Sequence, residues 1–336
     1  MTRIITVLPG DGIGPEVVGA TMRVLHALNV GLQFEVHELG EKTGGTLPAS
    51  VLESMKRNKV ALKGPTGTPL GEGHKSLNVR LRQELNLYAN VRPLVSMPYI
   101  GTRYGQDLDL VIIRENVEGE YAATEEVLGG QVRVTYDITQ RGCDRIAEFA
   151  FRYAEHTGRR RVCVVHKANI LKVSHGMFRA AAYAAAKRHP NIECRDLIVD
   201  NYGMQLMRDA SQFDVMLHTN MFGDIFSDVC AGIVHGSLGF APGANIGDEY
   251  AVFEAVHGTA PDIAGKGVAN PAAMMLSAAM MLDHINMRDD AQRIRSGINL
   301  ALGDGWFAKG VNQTTSVSTN EWTRAVIEGV QDVSRT

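Results

Sequence analysis

Three local signals follow one another in residues 4–28, IITVLPGDGIGPEVVGATMRVLHAL. Ile4–Leu8 is a short apolar run that predicts a buried strand, and Glu16–Leu28 places its apolar residues at helical spacing. Between them, the glycines from Gly10 onward permit a tight turn with positive φ, and Pro15 suits the first turn of a helix. The turn does not match G-x-G-x-x-G, so the stretch predicts a strand–turn–helix unit without indicating a ligand.

The same alternation of apolar runs and helical patterns continues along the chain. Further strands are predicted at Val60–Leu62, Leu108–Ile113, Val162–Val165, Asp196–Val199 and Val215–Leu217, and further helices at Ala147–Glu155, His175–Lys187 and Pro271–Ile285. Strands that alternate with helices are typical of a mostly parallel sheet with helices on its faces. We therefore expect an α/β protein.

The chain length, 336 residues, corresponds to two domains at about 150 residues each. The best boundary candidates are the stretches near Pro93–Pro98 and Gly236–Gly247. They predict one domain from residues 1–95 and 240–336, built from both chain ends, with residues 96–239 inserted as a second, smaller domain.

Composition excludes several classes of protein. Lys and Arg number 34 and Asp and Glu 37, for a net charge of −3, so sequence-independent nucleic-acid binding is not expected. No apolar run approaches the roughly 18 residues of a membrane helix. The four cysteines form no Cys-x-x-Cys pair and suit a reducing compartment. Because the first residues read as a strand rather than a targeting segment, we expect a cytoplasmic protein.

Asp224 and Asp228 lie four residues apart in an otherwise apolar stretch that includes Ile225, Phe226 and Val229. On a helix this spacing places both carboxylates on one face, where their charges repel. Carboxylates are the ligands that Mg²⁺ and Mn²⁺ prefer, so the pair is a candidate metal site. An exposed acidic helix face is the alternative.

Four basic residues stand beside apolar runs. Arg82, Arg92 and Arg114 suit bidentate recognition of carboxylates and together indicate a polyanionic small substrate, although any one alone is more often a surface or ion-paired arginine. Lys167 follows the strand predicted at Val162–Val165, where burial can turn a lysine into a base. An ordinary lysine with its amine in solvent is the alternative.

A long loop punctuated by Gly and Pro, Val256–Pro271, precedes a predicted helix. Loops of this length in compact domains are commonly functional. It offers backbone N–H groups, His257 for contact with a base and Asp262 for ribose hydroxyls. A simple surface connection is the alternative.

Together these segments resemble the β-hydroxyacid oxidative decarboxylase family, which includes isocitrate, 3-isopropylmalate, homoisocitrate and tartrate dehydrogenases. The resemblance runs from Val7 to about Asp283. It implies an α/β isocitrate/isopropylmalate dehydrogenase-like fold, with two domains that share a mostly parallel sheet architecture and no Rossmann fold. Residues 1–95 and 240–336 would form the large dinucleotide-binding domain, and residues 96–239 would carry the dimer interface and the metal and catalytic residues.

The resemblance also implies roles for individual residues. The catalytic pair would be Tyr121 and Lys167, and the substrate-binding set Ser76, Asn78, Arg82, Arg92 and Arg114. The cofactor-binding set would be Thr68, His257, Gly258, Thr259, Ala260, Asp262, Ile263 and Asn270. The metal ligands would be Asp224 and Asp228 with Asp200 from the neighbouring subunit, so a homodimer with shared active sites is implied.

The expected reaction is the metal-dependent oxidative decarboxylation of isocitrate to 2-oxoglutarate and CO₂, as in the tricarboxylic acid cycle, with NAD and Mg²⁺ or Mn²⁺ as cofactors. Ser76 and Asn78 match the isocitrate dehydrogenases, whereas isopropylmalate enzymes carry an apolar stretch there and bacterial homoisocitrate enzymes tend to carry an extra Arg near Val79. A homoisocitrate dehydrogenase is one alternative reading. A non-catalytic regulatory subunit of a heteromeric isocitrate dehydrogenase is another.

Two further positions bear on the cofactor. NADP-dependent relatives carry Lys-Tyr where this chain has Asp262 and Ile263, and a carboxylate repels a 2′-phosphate, so the resemblance implies NAD. The chain departs from the family at Asn312–Thr315, where an Asp-Leu-Gly-Gly segment is common.

Overall fold

The computed structural model describes residues 3–67, 76–103, 105–305, 307–308 and 316–332. The α-helices are α1 (Gly14–Ala27), α2 (Ala49–Asn58), α3 (Leu77–Glu84), α4 (Gln140–His156), α5 (Ser174–Arg188), α6 (Val199–Arg208), α7 (Asn220–Val234), α8 (Ala272–His284), α9 (Arg288–Gly303) and α10 (Thr319–Asp332). The strands are β1 (Arg3–Leu8), β2 (Leu32–Val36), β3 (Val60–Lys63), β4 (Ala89–Val95), β5 (Asp109–Glu115), β6 (Thr124–Leu128), β7 (Gln131–Thr135), β8 (Arg161–His166), β9 (Glu193–Ile198), β10 (Val215–His218), β11 (Pro242–Ile246), β12 (Ala251–Ala255), β13 (Phe307–Ala308) and β14 (Ser316–Val317).

The chain divides into two compact units. The terminal unit comprises Met1–Leu85, Ser96–Asp107 and Ala231–Thr336, and the central unit comprises Asn86–Val95 and Leu108–Cys230. These bounds differ from the sequence-based division at residues 95/96 and 239/240. The difference at β4 has a physical reason, because that strand pairs along its whole length with β5, from Ala89 opposite Glu115 to Val95 opposite Asp109. The functional roles of the two predicted domains stay a prediction.

In the terminal unit the strands lie in the order β2-β1-β3-β12-β11. Pairing is parallel from β2 through β12, and β11 is antiparallel to β12. A Rossmann sheet has the order 3-2-1-4-5-6 with all strands parallel. The predicted α/β architecture without a Rossmann fold is therefore confirmed.

In the central unit the strands lie in the order β4-β5-β10-β8-β9, parallel except for β4. β6 and β7 form a separate antiparallel hairpin. The strand predicted at Asp196–Val199 has the wrong bounds, since β9 is Glu193–Ile198 and Val199 begins α6. Pairing with β8 extends the strand back to Glu193, which lies opposite Arg161, and this gain depends on a partner that the local pattern does not show.

Buried apolar side chains line both faces of these sheets. The strand predicted at Ile4–Leu8 is buried from Ile5 onward, whereas Ile4 is 39% exposed, and Val164 in β8 is fully buried. Each such side chain contributes roughly 1.5–3 kcal/mol when removed from water. Within the described part of the chain, no helix is both long and apolar enough to cross a membrane.

Candidate active site

The arrangement of β5, β10 and α7 brings Arg114 beside Asp224. His218 at the end of β10 lies opposite Arg114 at the end of β5, and α7 begins two residues later at Asn220. Asn220 Oδ1 accepts from Arg114 Nε at 3.1 Å and from Nη2 at 2.7 Å, and Nη1 donates to Asp224. Arg114 is 1% exposed, so this fixed geometry holds a guanidinium in a largely dry site.

Close approach of Arg114 to α7 depends on Gly223. A Cβ at this position would lie 2.6 Å from both Cβ and Cγ of Arg114, which is closer than van der Waals contact allows. The glycine therefore lets the arginine side chain cross the helix surface to reach Asp224.

Arg92 approaches the same helix from β4. Its side chain donates to the Ser227 hydroxyl, which in turn donates to the backbone carbonyl of Asp224 at 2.7 Å. Arg92 Nη2 lies 3.6 Å from Asp224, and Nη1 lies 3.9 Å from Asp228. The structure thus brings together two of the three predicted substrate arginines and both aspartates of the spacing motif.

Tyr121 lies over this cluster. Its hydroxyl donates to Asp224 Oδ2 at 2.5 Å, and the Arg114 guanidinium lies 4.7 Å from the ring centroid. Loss of water around the phenol and the neighbouring Asp224 carboxylate raise the pKa of Tyr121. The phenol therefore keeps its proton at neutral pH and can donate it.

The two aspartates fit a divalent cation chemically but do not complete a site. Partial burial and the charge of Asp224 raise the pKa of Asp228, against the opposing effect of Arg92. A bound cation would relieve that repulsion, and carboxylate oxygens suit Mg²⁺ or Mn²⁺. Among the described residues, no group of three His, Cys, Asp or Glu side chains could hold a metal. Asp200 therefore does not join Asp224 and Asp228 within one chain.

Lys167 and Asp200 form a separate pair in the central unit. The Lys167 amine donates to the Asp200 carboxylate, and this ion pair lowers the pKa of Asp200. The side chain of Lys167 is 28% exposed and that of Asp200 is 70% exposed. The amine and its carboxylate are thus available to groups outside this chain.

In the terminal unit, α3 carries the predicted substrate reader. Ser76 immediately precedes the helix, and Asn78 accepts from the Thr66 hydroxyl at 2.9 Å. Arg82 lies four residues after Asn78, which is the spacing of one helix face. Arg82 is 8% exposed, and its Nε has no hydrogen-bond partner among the described residues, so it retains a donor for a ligand.

A buried ion network holds Arg82 and was missed by the sequence analysis. Glu254 accepts from Lys63 at 2.5 Å, from Arg82 at 3.2 Å and from Asn245 at 2.8 Å. Burial disfavours the Glu254 anion, but the two cations and these hydrogen bonds outweigh it and hold its pKa well below the usual range. The available signal was a charged residue at or next to the end of an otherwise apolar strand, namely Lys63 in β3 and Glu254 in β12.

The first turn of the chain packs against the predicted cofactor loop. Ile13 N–H donates to the Thr259 carbonyl at 2.9 Å. Gly12 has a φ of 58°, and a Cβ there would lie 2.1 Å from that same oxygen, so only glycine fits. Glu16 accepts from the Ala269 N–H at 2.9 Å and ties down the far end of the loop. The glycine motif therefore supports this loop.

Two buried polar atoms of this loop match an adenine in hydrogen-bonding type. His257 Nδ1 faces the Gly258 carbonyl at 3.0 Å, which makes Nε2 an acceptor, and Asn270 Oδ1 accepts from Ala272 N–H at 3.0 Å, which leaves its amide nitrogen as a donor. Neither His257 Nε2 nor Asn270 Nδ2 has a partner in the described residues. Adenine offers both complementary groups.

Five other residues predicted to bind the cofactor lie in the same loop. Gly258 and Asp262 are exposed, and Thr259, Ala260 and Ile263 are half-buried. Thr68 and the divergent segment Asn312–Thr315 lie outside the described residues. Their roles in cofactor binding stay a prediction.

Comparisons with known proteins identify the family of this chain. The family model described as isocitrate/isopropylmalate dehydrogenase matches residues 4–326. The chain is 45% identical over 329 residues to "Isocitrate dehydrogenase [NAD] catalytic subunit 5, mitochondrial" of Arabidopsis thaliana, covering 96% of this chain and 87% of that protein. It is 45% identical over 306 residues to the chloroplastic 3-isopropylmalate dehydrogenase of Solanum tuberosum, covering 89% of this chain and 85% of that protein.

A solved structure, the isocitrate dehydrogenase of Methylococcus capsulatus, superposes with a TM-score of 0.95 at 43% identity, covering 98% of this chain and 99% of that one. Relatives named as an NADP isocitrate dehydrogenase and as a regulatory subunit also match. The fold and these matches together define the chain as an oxidoreductase. The chain belongs to the isocitrate/isopropylmalate dehydrogenase family.

Proposed function

We propose that this protein is a homodimeric enzyme that oxidatively decarboxylates isocitrate to 2-oxoglutarate and CO₂ while reducing NAD⁺. The observation that carries the proposal is the cluster on α7, where buried Arg92 and Arg114 meet Asp224, Asp228 and the Tyr121 hydroxyl. It combines carboxylate-binding cations, metal-binding carboxylates and a proton donor, which are the groups that this reaction needs.

The choice of isocitrate depends on the polar residues of α3. We assign Ser76 and Asn78 to the γ-carboxylate of the substrate, with Arg82 among the three carboxylate-binding arginines. A site built for hydrogen bonds rejects an apolar analogue strongly, which disfavours isopropylmalate. Homoisocitrate is one methylene longer, and a methylene is worth only about 1–3 kcal/mol, so it remains the second candidate.

The chain supplies the proton transfers. Lys167 takes the proton of the substrate hydroxyl. Bound NAD⁺ would supply the hydride acceptor for the same carbon, and the β-keto acid that results would lose CO₂. Arg92 and Arg114 hold the negative charge that develops on the substrate oxygens. Tyr121, whose raised pKa keeps it protonated, then delivers a proton to the β-carbon.

The metal ligands in this proposal are Asp224 and Asp228, together with Asp200 of the partner subunit. A bound Mg²⁺ or Mn²⁺ would act as a Lewis acid on the substrate hydroxyl and carboxylate.

Apolar exposure on the central unit supports the homodimer. Met204 and Met207 on α6 are 51% and 43% exposed, and Ile225 and Val229 on α7 are 53% and 36% exposed. Helix α6 also carries Asp200, and α7 carries the other two aspartates. Association of two copies through these helices would cover the apolar residues and bring Asp200 to the partner's site.

A steady-state assay of the purified protein tests the substrate and cofactor together. With Mg²⁺, isocitrate should exceed homoisocitrate and isopropylmalate in kcat/KM. NAD⁺ should exceed NADP⁺ by at least about a hundredfold in kcat/KM, equivalent to roughly 2.7 kcal/mol, because Asp262 repels a 2′-phosphate. Asp262→Lys combined with Ile263→Tyr should narrow that gap.

The alternatives give different results in the same assay. A preference for homoisocitrate would select the second substrate, and preferred use of NADP⁺ would overturn the cofactor assignment. A regulatory subunit would show no turnover alone. The presence of Arg92, Arg114, Tyr121 and Lys167 in this chain argues against that reading. The cytoplasmic location predicted from the sequence is part of the proposal.

A further inference from the structure

Two imidazoles hold the backbone at Lys167. The Lys167 N–H donates to His175 Nδ1 at 2.9 Å, and the next N–H, that of Ala168, donates to His166 Nδ1 at 3.0 Å. His166 Nε2 lies 2.9 Å from Asp196, so that ring is already fixed by a carboxylate. His175 has no role in the proposed reaction, and its contact is with the residue assigned as the base.

The environment of His175 suits a neutral acceptor. The side chain belongs to the first turn of α5 and is 1% exposed, and its ring meets the edge of Phe222 at 5.6 Å between centroids. Burial lowers the pKa of His175, although the nearby Glu120 opposes this effect. Since Nδ1 accepts a backbone proton, the ring proton must be on Nε2.

The segment between the two residues is held mainly by its own backbone hydrogen bonds, which include His175 N–H to the Leu171 carbonyl at 3.1 Å. Residues 168–173 form turns, in which Ile170 and Leu171 donate back to the Lys167 carbonyl at 3.0 and 2.9 Å. Ile170 and Val173 are 67% and 80% exposed. The Lys167 N–H to His175 bond therefore joins the residue that carries the amine to the rigid start of α5.

We propose that His175 is a positioning residue for Lys167, with its neutral Nδ1 accepting the Lys167 N–H and so fixing the direction in which the catalytic amine leaves the backbone. The inference rests on the role of Lys167 in the proposed function. A small misplacement of a reacting group can cost a large factor in rate, so loss of this bond should lower kcat more than it changes substrate binding.

Three substitutions at this position separate positioning from packing. Asn places an acceptor oxygen where His has Nδ1, Gln places its acceptor one carbon further out, and Leu supplies volume without an acceptor. A small cavity beside the ring, lined in part by Cys143, Phe178 and Thr219, gives the longer Gln side chain room. The Asn and Gln variants therefore differ mainly in where the acceptor lies.

The experiment measures kcat, KM for isocitrate and Tm for His175→Asn, His175→Gln and His175→Leu. We expect Gln and Leu to lower kcat at least about tenfold with KM within about twofold, and Asn to stay within about threefold of wild type. A packing role predicts a different order, because Leu suits a buried site better than Asn and should give the higher Tm and activity. Equal kcat for the three variants, or kcat that follows Tm, would overturn the inference.

Two further measurements distinguish a failure of this inference from a failure of the proposed function. The ¹⁵N shifts of the wild-type histidines should show His175 as the Nε2–H tautomer, and an Nδ1–H tautomer would contradict the inference without any variant. Lys167→Met should abolish turnover in the same assay. If it keeps wild-type turnover, or if wild type does not oxidise isocitrate, the proposed function fails; if it is inactive while all His175 variants match wild type, only this inference fails.

Discussion

The buried carboxylate of Glu254 affects both the stability of the terminal unit and the orientation of Arg82. Its side chain is 12% exposed and lies between Lys63, whose side chain is 1% exposed, and Arg82, at 10%. Removing one partner of a buried ion pair leaves an uncompensated charge and costs about 3–5 kcal/mol. Glu254 therefore links the stability of the terminal unit to the orientation of a proposed substrate arginine.

Glu254→Gln should lower the free energy of unfolding by about 3 kcal/mol at pH 7, measured by urea denaturation, and raise KM for isocitrate. The matched control is Lys63→Met in the same background, which removes the unpaired cation and should recover part of the lost stability. Full stability in the single variant would contradict the assigned role.

The pH dependence follows from the same network. Since the folded-state pKa of Glu254 lies below its ordinary value near 4.5, the stability it contributes is present above that value. It is lost as the pH falls below about 4.5 toward the folded-state pKa. Wild type should therefore lose more stability than Glu254→Gln when urea unfolding is compared at pH 7 and at acidic pH.

Among the helices and strands, α7 carries two carboxylates at helical spacing and also lets an arginine side chain approach them closely. The spacing of Asp224 and Asp228 places both carboxylates on one face, and Gly223 lets Arg114 cross the helix beside them. The helix thus presents two carboxylates, while β4 and β5 supply the arginines opposite.

Gly223→Ala tests this geometry. The new Cβ would lie 2.6 Å from Arg114, so the side chain must move away from Asp224, and kcat/KM for isocitrate should fall at least about tenfold with a stability loss of about 1–3 kcal/mol. Gly19→Ala on α1, a helix outside the proposed dimer contact, is the matched control. Nothing lies within 4 Å of a Cβ at that exposed position, so it should keep activity and gain up to about 1 kcal/mol from helix propensity. Equal behaviour of the two variants would show that the close approach does not matter.

For the whole molecule, the proposed site draws on two side-chain pairs of the central unit that form no common metal group among the described residues. Lys167 pairs with Asp200, whereas Tyr121 pairs with Asp224, and Asp200 joins no metal group in the described part of the chain. A homodimer that exchanges these pairs would complete two sites from two chains.

Mixing two inactive variants tests the exchange. Lys167→Met and Tyr121→Phe should each lower kcat by at least about a hundredfold as homodimers. After subunit exchange at equal amounts, half of the dimers contain both chains and carry one intact site, so about a quarter of wild-type activity should return. The exchange is followed by native mass spectrometry. Demonstrated mixed dimers without recovered activity would place Lys167 and Tyr121 in the same chain's site.

Several features of this protein were determined by local sequence. Apolar runs such as Ile4–Leu8 and helical spacing in Glu16–Leu28 were sufficient to predict β1 and α1, and alternation of such patterns was sufficient for the α/β class. The Asp224 and Asp228 spacing likewise indicated two carboxylates on one helix face. These features can be predicted without knowing which segment packs against them, because periodicity along the chain already indicates which side is buried.

Other features depended on residues far apart in the chain. Lys63 and Glu254 are 191 positions apart and meet because β3 and β12 are parallel neighbours. The start of β9 at Glu193 required β8, and the contact between Lys167 and His175 required the turn before α5. The tertiary structure alone decides which charges neutralise one another. An ion pair or a strand pair forms between two segments, and the sequence of one segment does not show which other segment it will contact.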